Sequence, residues 1–250
     1  MELGLSDVAG GALDSLEKYM EPVDVSKRLR CIKRVAPFYK QLNRGGDLLI
    51  QLDGIAWLVA KDAPGLAAEL AVVFGDAGDR RSAERMLNEA TSNARTAIGR
   101  SRYDWEAERD RSGSTQARKV FDAATQGYAT ALAAARIGDS NAAEVLIAAA
   151  DKGTEGVYGD FSDWDRLPFM KADIYKACGE YRKALQSLER IRSSSLKADA
   201  LRAFAKDVLK QGVYGIEFAQ MAERSFEETF SKPSIEILAT IAKAKIRQRV

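Results

Sequence analysis

Side chains suited to acid–base, nucleophilic or metal chemistry are sparse in this sequence, which contains no histidine. Histidine is the usual general base near neutral pH and a frequent metal ligand. The two cysteines, Cys31 and Cys178, lie far apart and form no Cys-x-x-Cys pair. This usage is typical of free thiols in a reducing compartment.

Three other groups of residues are candidates for chemical sites. They are a run of acids over 104–110, an acidic cluster (Asp160, Asp163 and Asp165) and three evenly spaced glycines (Gly153, Gly156 and Gly159). The run alternates with arginines, as on a solvated helix face, and the cluster lacks the spacing of a calcium loop. The glycines lack the Lys-Ser/Thr of a phosphate loop and favour a flexible connector over 151–163. We therefore expect no catalytic residue, no metal and no cofactor. An enzyme that uses Asp, Glu, Lys, Tyr or Cys is the alternative.

A basic segment at residues 25–44 contains seven cationic side chains and no acid. It could be the solvated face of a helix, or it could bind an acidic protein, a nucleic acid or an anionic surface. Phe38 and Tyr39 are its only aromatic residues, so a specific single-strand site is not indicated. The basic residues are Lys27, Arg28, Arg30, Lys33, Arg34, Lys40 and Arg44.

A recurring pattern predicts the elements that position these side chains. Four alanine-rich stretches end in a glycine, at Gly78, Gly138, Gly179 and Gly212. After the first three, a small residue follows five positions later and an aliphatic one nine positions later. The pairs are Ala83/Leu87, Ala143/Ile147 and Ala184/Leu188. Such self-similarity predicts stacked helix–turn–helix units.

The rest of the chain also predicts helices. No sustained period-two alternation is present, so we expect an all-α fold. The apolar spacing from Leu29 to Leu42 predicts a helix with a kink or break at Pro37. A polar gap at 112–114 ends another helical signal, and a new helix is expected over 116–137. We expect a helical N-terminal segment over 1–63, packed on a repeat domain over 64–250.

One unit resembles a tetratricopeptide repeat, a family in which small residues let two helices pack closely around a turn glycine. The residues that carry the resemblance are Ala172, Tyr175, Gly179, Tyr181, Ala184 and Leu188. Two earlier units fit the same frame, at 71–90 and 131–150, the second of them without the aromatic residue. The fourth keeps Ala205 and Val208 but has Glu217 at the small position. The turn glycines lie 60, 41 and 33 residues apart, against about 34 in the family. A generic helical bundle is the alternative.

The resemblance implies a right-handed α–α superhelix of antiparallel pairs with a concave groove lined by the first helix of each unit. Transferring the family frame gives the following groove residues: Tyr128, Leu132, Arg136, Arg166, Phe169, Asp173, Lys176, Arg202, Lys206 and Lys210. This mostly basic set would suit an acidic peptide or a C-terminal carboxylate.

These observations favour a non-enzymatic protein–protein interaction module, such as an adaptor, scaffold or chaperone-like protein. The alternative is a helical nucleic-acid-binding or regulatory protein that uses the basic segment. The net charge of +2 gives no general attraction to nucleic acid or membrane. With no signal peptide or membrane span in the sequence, we expect a cytoplasmic protein or one exported without a classical signal. The sequence indicates no oligomeric state.

Overall fold

The computed structural model describes residues 24–62, 64–157, 162–211 and 213–247, together with Gly11 and Ser15. In these residues the chain is all-helical, with no strand. The α-helices are α1 (Val25–Gln41), α2 (Gly45–Asp62), α3 (Ala67–Ala77), α4 (Arg80–Arg136), α5 (Ser140–Thr154), α6 (Arg166–Ala177), α7 (Tyr181–Glu189), α8 (Ser194–Val208), α9 (Val213–Phe230) and α10 (Ile235–Arg247). Short 3₁₀ turns lie at Pro64–Leu66, Ser162–Asp165 and Leu209–Gln211.

Three turns have the same local structure. Gly78, Gly138 and Gly179 adopt φ of 92°, 89° and 78°, a left-handed conformation that glycine tolerates best. At each turn the glycine N–H donates to the carbonyl three residues back, and the next N–H donates to the carbonyl five residues back, at 2.8–3.1 Å. This is the Schellman arrangement that ends a helix. The predicted helix ends at these glycines are therefore confirmed, whereas Gly212 lies outside the described residues.

The helices after the first two of these turns also begin alike. The Asp79 and Asp139 carboxylates each accept a hydrogen bond from the backbone N–H three residues later, at 3.1 and 2.9 Å. This is helix N-capping by a carboxylate. From there, residues 81–90 and 141–150 have an identical order of buried, half-buried and exposed positions. The sequence similarity therefore corresponds to equivalent packing.

Helix α4 is helical over 57 residues, but it cannot be straight. A Cβ added to Gly127 would lie 2.8 Å from Ile98 Cδ1, so these two residues are in contact. In a straight helix they would be about 43 Å apart at 1.5 Å per residue. Trp105 and Ala117 share one small cluster, so the chain reverses direction between them. The two antiparallel arms, 80–108 and 115–136, lie on either side of the predicted polar gap.

The N-terminal hairpin, formed by α1 and α2, packs into the larger hydrophobic cluster, the main core. Leu29 of α1 and Leu48 of α2 belong to the same hydrophobic cluster as Phe74 and Leu146, so the core is continuous across the expected boundary at residue 63. Of the kink or break expected at Pro37, the break is wrong, because α1 runs through this residue. The buried Tyr39 just beyond Pro37 holds that turn against the core, which offsets the hydrogen bond that proline cannot donate.

A second cluster is formed mainly by α6 to α10. Ala172 and Ala184, the small residues of the best tetratricopeptide-like unit, are both fully buried in it. The expected flexible connector over 151–163 is partly wrong, because residues 151–154 belong to α5 and Gly153 is buried. Gly159 and Asp160 lie outside the described residues.

Candidate interaction surface

The structure brings two predicted groove residues together on one carboxylate. Lys176 Nζ of α6 lies 3.3 Å from Asp207 Oδ2 of α8, and Lys210 Nζ lies 3.0 Å from Asp207 Oδ1. Lys176 also contacts Asp173 Oδ1 at 2.8 Å. Both lysine charges are thus compensated by acids of the same chain. The sequence-based set had assigned a mostly basic character to this face.

Arg202, another predicted groove residue, also forms contacts between helices. Its Nε lies 3.6 Å from Glu236 Oε2 of α10, and its Nη1 lies 3.1 Å from Asp199 Oδ1. The guanidinium also lies over the Phe226 ring, 5.3 Å from the ring centroid. Such cation–π contact fixes the orientation of the arginine. Arg202 therefore joins α8 to α9 and α10 and is half-buried.

Five predicted groove residues are exposed to solvent; one is Lys210, which also contacts Asp207. Arg166 and Phe169 lie on α6, Lys206 lies on α8, and Arg136 ends the second arm of α4. The Phe169 side chain is 36% exposed, so an apolar contact is available beside the charged residues. These residues can contact a partner without first breaking a buried interaction.

Tyr128 lies beneath the surface instead of lining it. It is 3% exposed, and its hydroxyl donates a hydrogen bond to Asp151 Oδ1 of α5. Lys171 Nζ of α6 contacts the other oxygen of Asp151. Leu132 is half-buried against the main cluster. Tyr128, which the transferred frame placed in the groove, is therefore buried and links α4 to α5 through Asp151.

Burial and neighbouring charges shift the pKa values of several side chains at and beneath this surface. Burial, and then the Asp151 charge, raise the pKa of Tyr128 and that of Tyr175. Burial alone would lower the pKa of Lys176, but Asp173 and Asp207 outweigh it, and the net pKa is raised. The hydrogen bond to Glu144 raises the pKa of Lys183. All four groups hold their proton more tightly in the folded state than in the unfolded state.

We expect the protein to lose stability as the pH rises above about 10. The ordinary pKa values are 10.0 for tyrosine and 10.5 for lysine, and the unfolded chain releases its protons there first. A raised folded pKa gives stability that is complete below the unfolded value and is lost as the pH rises through the folded value. Urea unfolding midpoints at pH 8.5, 10 and 11 should fall in that order. Tyr128→Phe should reduce the fall, while Tyr103→Phe, an exposed control, should leave it unchanged. An equal fall in wild type and Tyr128→Phe would contradict this assignment.

The basic segment forms α1 and the turn after it. Arg30, Lys33 and Arg34 are exposed around a cavity of about 340 Å³ that Ser26 and Glu69 also line. Arg28 is half-buried, and Lys40 has a side chain outside the described set.

Three cations of the segment are paired. The pairs are Lys27 with Asp24 at 3.2 Å, Lys33 with Glu69 at 3.0 Å and Arg44 with Asp47 at 2.6 Å. Hydrogen bonds from the Ser26 side chain and the Lys27 backbone lower the pKa of Asp24 to about 2, so this acid stays charged. The segment is therefore less positive than its sequence indicates.

A cleft of about 640 Å³ lies where the first two repeated turns meet. Arg80 and Glu84 line it from the start of α4, and Arg136 and Asp139 line it from the second turn. Arg136 thus belongs to this mixed-charge cleft. The cleft was not predicted from the sequence. The similar sequences of the two turns were the feature that could have indicated it.

In the part of the chain that the structure describes, no group of three Cys, Asp or Glu side chains is arranged to hold a metal ion. No helix in the same part combines the length and apolar character needed to cross a lipid bilayer. No protein-family model matches this chain, and no curated protein or solved structure matches it either.

Proposed function

We propose that this protein is a non-enzymatic interaction module built as a tetratricopeptide-like stack of antiparallel helix pairs. The observation that carries the proposal is the repeated turn at Gly78, Gly138 and Gly179, with similar positive φ angles and the same pattern of hydrogen bonds. Repeated units that stack present an extended surface, and such surfaces serve mainly to bind other proteins.

Four ion pairs between successive units support a regular stack. First helices contact first helices, as Lys33 contacts Glu69 and Lys176 contacts Asp207. Second helices contact second helices in the same way. The two pairs of this kind are Arg85 with Asp53 at 3.9 Å and Lys183 with Glu144 at 2.9 Å. Because α1 and α2 follow the same rule, we include the N-terminal hairpin in the stack as a further unit.

The proposed binding face lies on α6 and α8, the first helices joined by Lys176 and Asp207. Its available contacts are the exposed Arg166 and Lys206 and the partly exposed Phe169. Charged hydrogen bonds to carboxylates are among the stronger polar contacts in a binding site. The partner that fits is a peptide segment in which acidic residues flank an apolar side chain. A uniformly acidic segment fits less well, because Asp173 and Asp207 would repel it.

The alternative proposal, nucleic-acid binding by the basic segment, draws support from Arg30 and Arg34, which are both exposed on α1. The acids beside Lys27, Lys33 and Arg44 weaken it. Phosphate contacts would make log affinity fall steeply and linearly with log salt. A flat salt dependence for binding to random-sequence duplex DNA and RNA, or no binding at all, would exclude this alternative.

The test is a triple variant, Arg166→Glu/Phe169→Ala/Lys206→Glu, compared with wild type in quantitative affinity capture from the native cell. We expect at least one protein that wild type retains to be lost from the variant. Because exposed substitutions rarely cost more than about 0.5 kcal/mol, circular dichroism and the melting midpoint should stay close to wild type. A matched control, Arg81→Glu/Lys119→Glu, changes two exposed cations on α4. Capture that is unchanged in the triple variant, or lost equally in the control, would refute the proposed face.

A further inference from the structure

Helix α10 has two apolar faces, of which one is buried. Ile237 and Ile241 are buried against the second cluster. The Ser234 N–H, just before the helix, donates to Glu223 Oε1 at 2.7 Å, and Glu223 is itself 7% exposed. These contacts fix the inner face of α10 on α8 and α9.

The outer face of α10 is apolar and open to solvent. Ile235 is 81% exposed, Leu238 is 45% exposed and Ile246 is 64% exposed. Ala239 and Ala242, also exposed, lie between them. At 100° per residue these five side chains form one stripe about 100° wide, which is the width of a core-facing helix surface.

We propose that this outer face binds a second copy of the chain, with two α10 helices packed antiparallel about a twofold axis. Equivalent surfaces meet in such an interface, so each residue must suit its symmetry mate. Centring the axis between 240 and 241 places Ile235 opposite Ile246 of the partner subunit. It also places Ala239 opposite Ala242 of the partner subunit. The small residues then allow close approach at the centre, and the large ones cover both ends.

The charged residues beside the apolar stripe also favour an antiparallel pair of α10 helices. Glu236 and Lys243 are both exposed and are seven residues apart, so they lie on the same side of α10 near its opposite ends. An antiparallel pair sets each Glu236 beside Lys243 of the partner subunit. A parallel pair, whose twofold axis runs along the helices, would place Lys243 beside Lys245 of the partner subunit, and both are cations. If α10 packed on α1 of a second copy, Lys243 and Lys245 would lie near Arg30 and Arg34 of the partner subunit. All four side chains are positively charged, so this arrangement is unfavourable. Charge complementarity therefore selects the antiparallel self-pair.

The experiment measures mass by light scattering after size exclusion, over loading concentrations from about 5 to 200 μM, which span the micromolar affinities of modest interfaces. Wild type should approach twice 27.4 kDa as the concentration rises. Leu238→Lys/Ile246→Lys should remain a monomer, with its helical circular dichroism retained because both sites are exposed. Ile50→Lys is the control, since Ile50 is an isoleucine with 70% exposure on α2, and it should dimerise as wild type does.

Charge exchange then tests the direction of the pair. Lys243→Glu alone should weaken dimerisation about fivefold, because two opposite-charge contacts become like-charge contacts. The double variant Glu236→Lys/Lys243→Glu should restore it. The proposal is overturned if wild type is a monomer at all concentrations, or if the Leu238→Lys/Ile246→Lys variant still dimerises. It is equally overturned if Ile50→Lys abolishes the dimer or if the double charge variant is weaker than Lys243→Glu alone.

Discussion

Replacing Gly215 with alanine is expected to lower the free energy of unfolding by about 3 kcal/mol, the upper end of the usual range for overpacking. Gly215 lies in the first turn of α9. A Cβ at this position would lie 2.8 Å from the Val208 carbonyl carbon, closer still to its oxygen, and 3.0 Å from Leu209 Cα. These are backbone atoms at the end of α8, so no side-chain rotation can relieve the clash. Chemical denaturation of the purified variant measures the loss.

Two other glycines provide a matched control for the same substitution. Gly54 in α2 and Gly99 in α4 have no atom within 4 Å of an added Cβ. Alanine is favoured over glycine inside a helix by about 1 kcal/mol, so Gly54→Ala and Gly99→Ala should raise stability by up to that amount. A Gly215→Ala variant as stable as these controls would contradict the close α8–α9 packing.

Local features of the fold were predictable from sequence. The helix ends at Gly78, Gly138 and Gly179 depend on a residue that tolerates positive φ, and the helix starts after the first two depend on the aspartate that follows. Both are visible within a few residues. The spacing of Ala83 and Leu87 likewise indicated one buried face. These properties depend on helix geometry and burial alone, so sequence was sufficient.

The fourth unit was not predictable in the same way. The family frame put Glu217 at the small position, but Glu217 is exposed, and the buried small residues of α9 include Gly215, Ala219 and Ala222. Ala219 lies two residues beyond the expected place. A 3₁₀ turn at Leu209–Gln211 follows α8, so the fixed offset from the turn glycine does not apply. The length of an irregular turn depends on tertiary packing, which a spacing rule does not include.

The charge of the candidate site was the other property that sequence could not supply. Lys176 and Asp207 are separated by 31 residues, and their contact depends on how α6 and α8 stack. A list of cations chosen by helix position omits the acids that neighbouring helices bring beside them. For this reason the predicted basic groove becomes a mixed-charge face, whose exposed cations include Arg166, Lys206 and Lys210.

The second large effect is expected at Gly153, where alanine should lower the free energy of unfolding by about 2 kcal/mol. Ile98, on the first arm of α4, lies against two glycines, Gly127 on the second arm and Gly153 on α5. A Cβ at Gly153 would lie 2.6 Å from Ile98 Cγ2. This methyl group is attached directly to Cβ, and a β-branched side chain has few alternative rotamers. At Gly127 the nearest atom is the terminal Cδ1, which moves more easily, so Gly127→Ala should cost less.

A double-mutant cycle with Ile98→Leu tests this explanation. Leucine moves the branch from Cβ to Cγ and removes the methyl group that Gly153→Ala would meet. Ile98→Leu alone should cost less than about 1.5 kcal/mol, as an exchange that conserves volume. The double variant should be more stable than the sum of the single effects predicts, by at least about 1 kcal/mol, because the two sites share one contact. Urea unfolding of the four proteins provides the comparison. Additive effects would mean that Gly153 is not in contact with Ile98 Cγ2, and the close packing of α5 on the first arm of α4 would then be wrong.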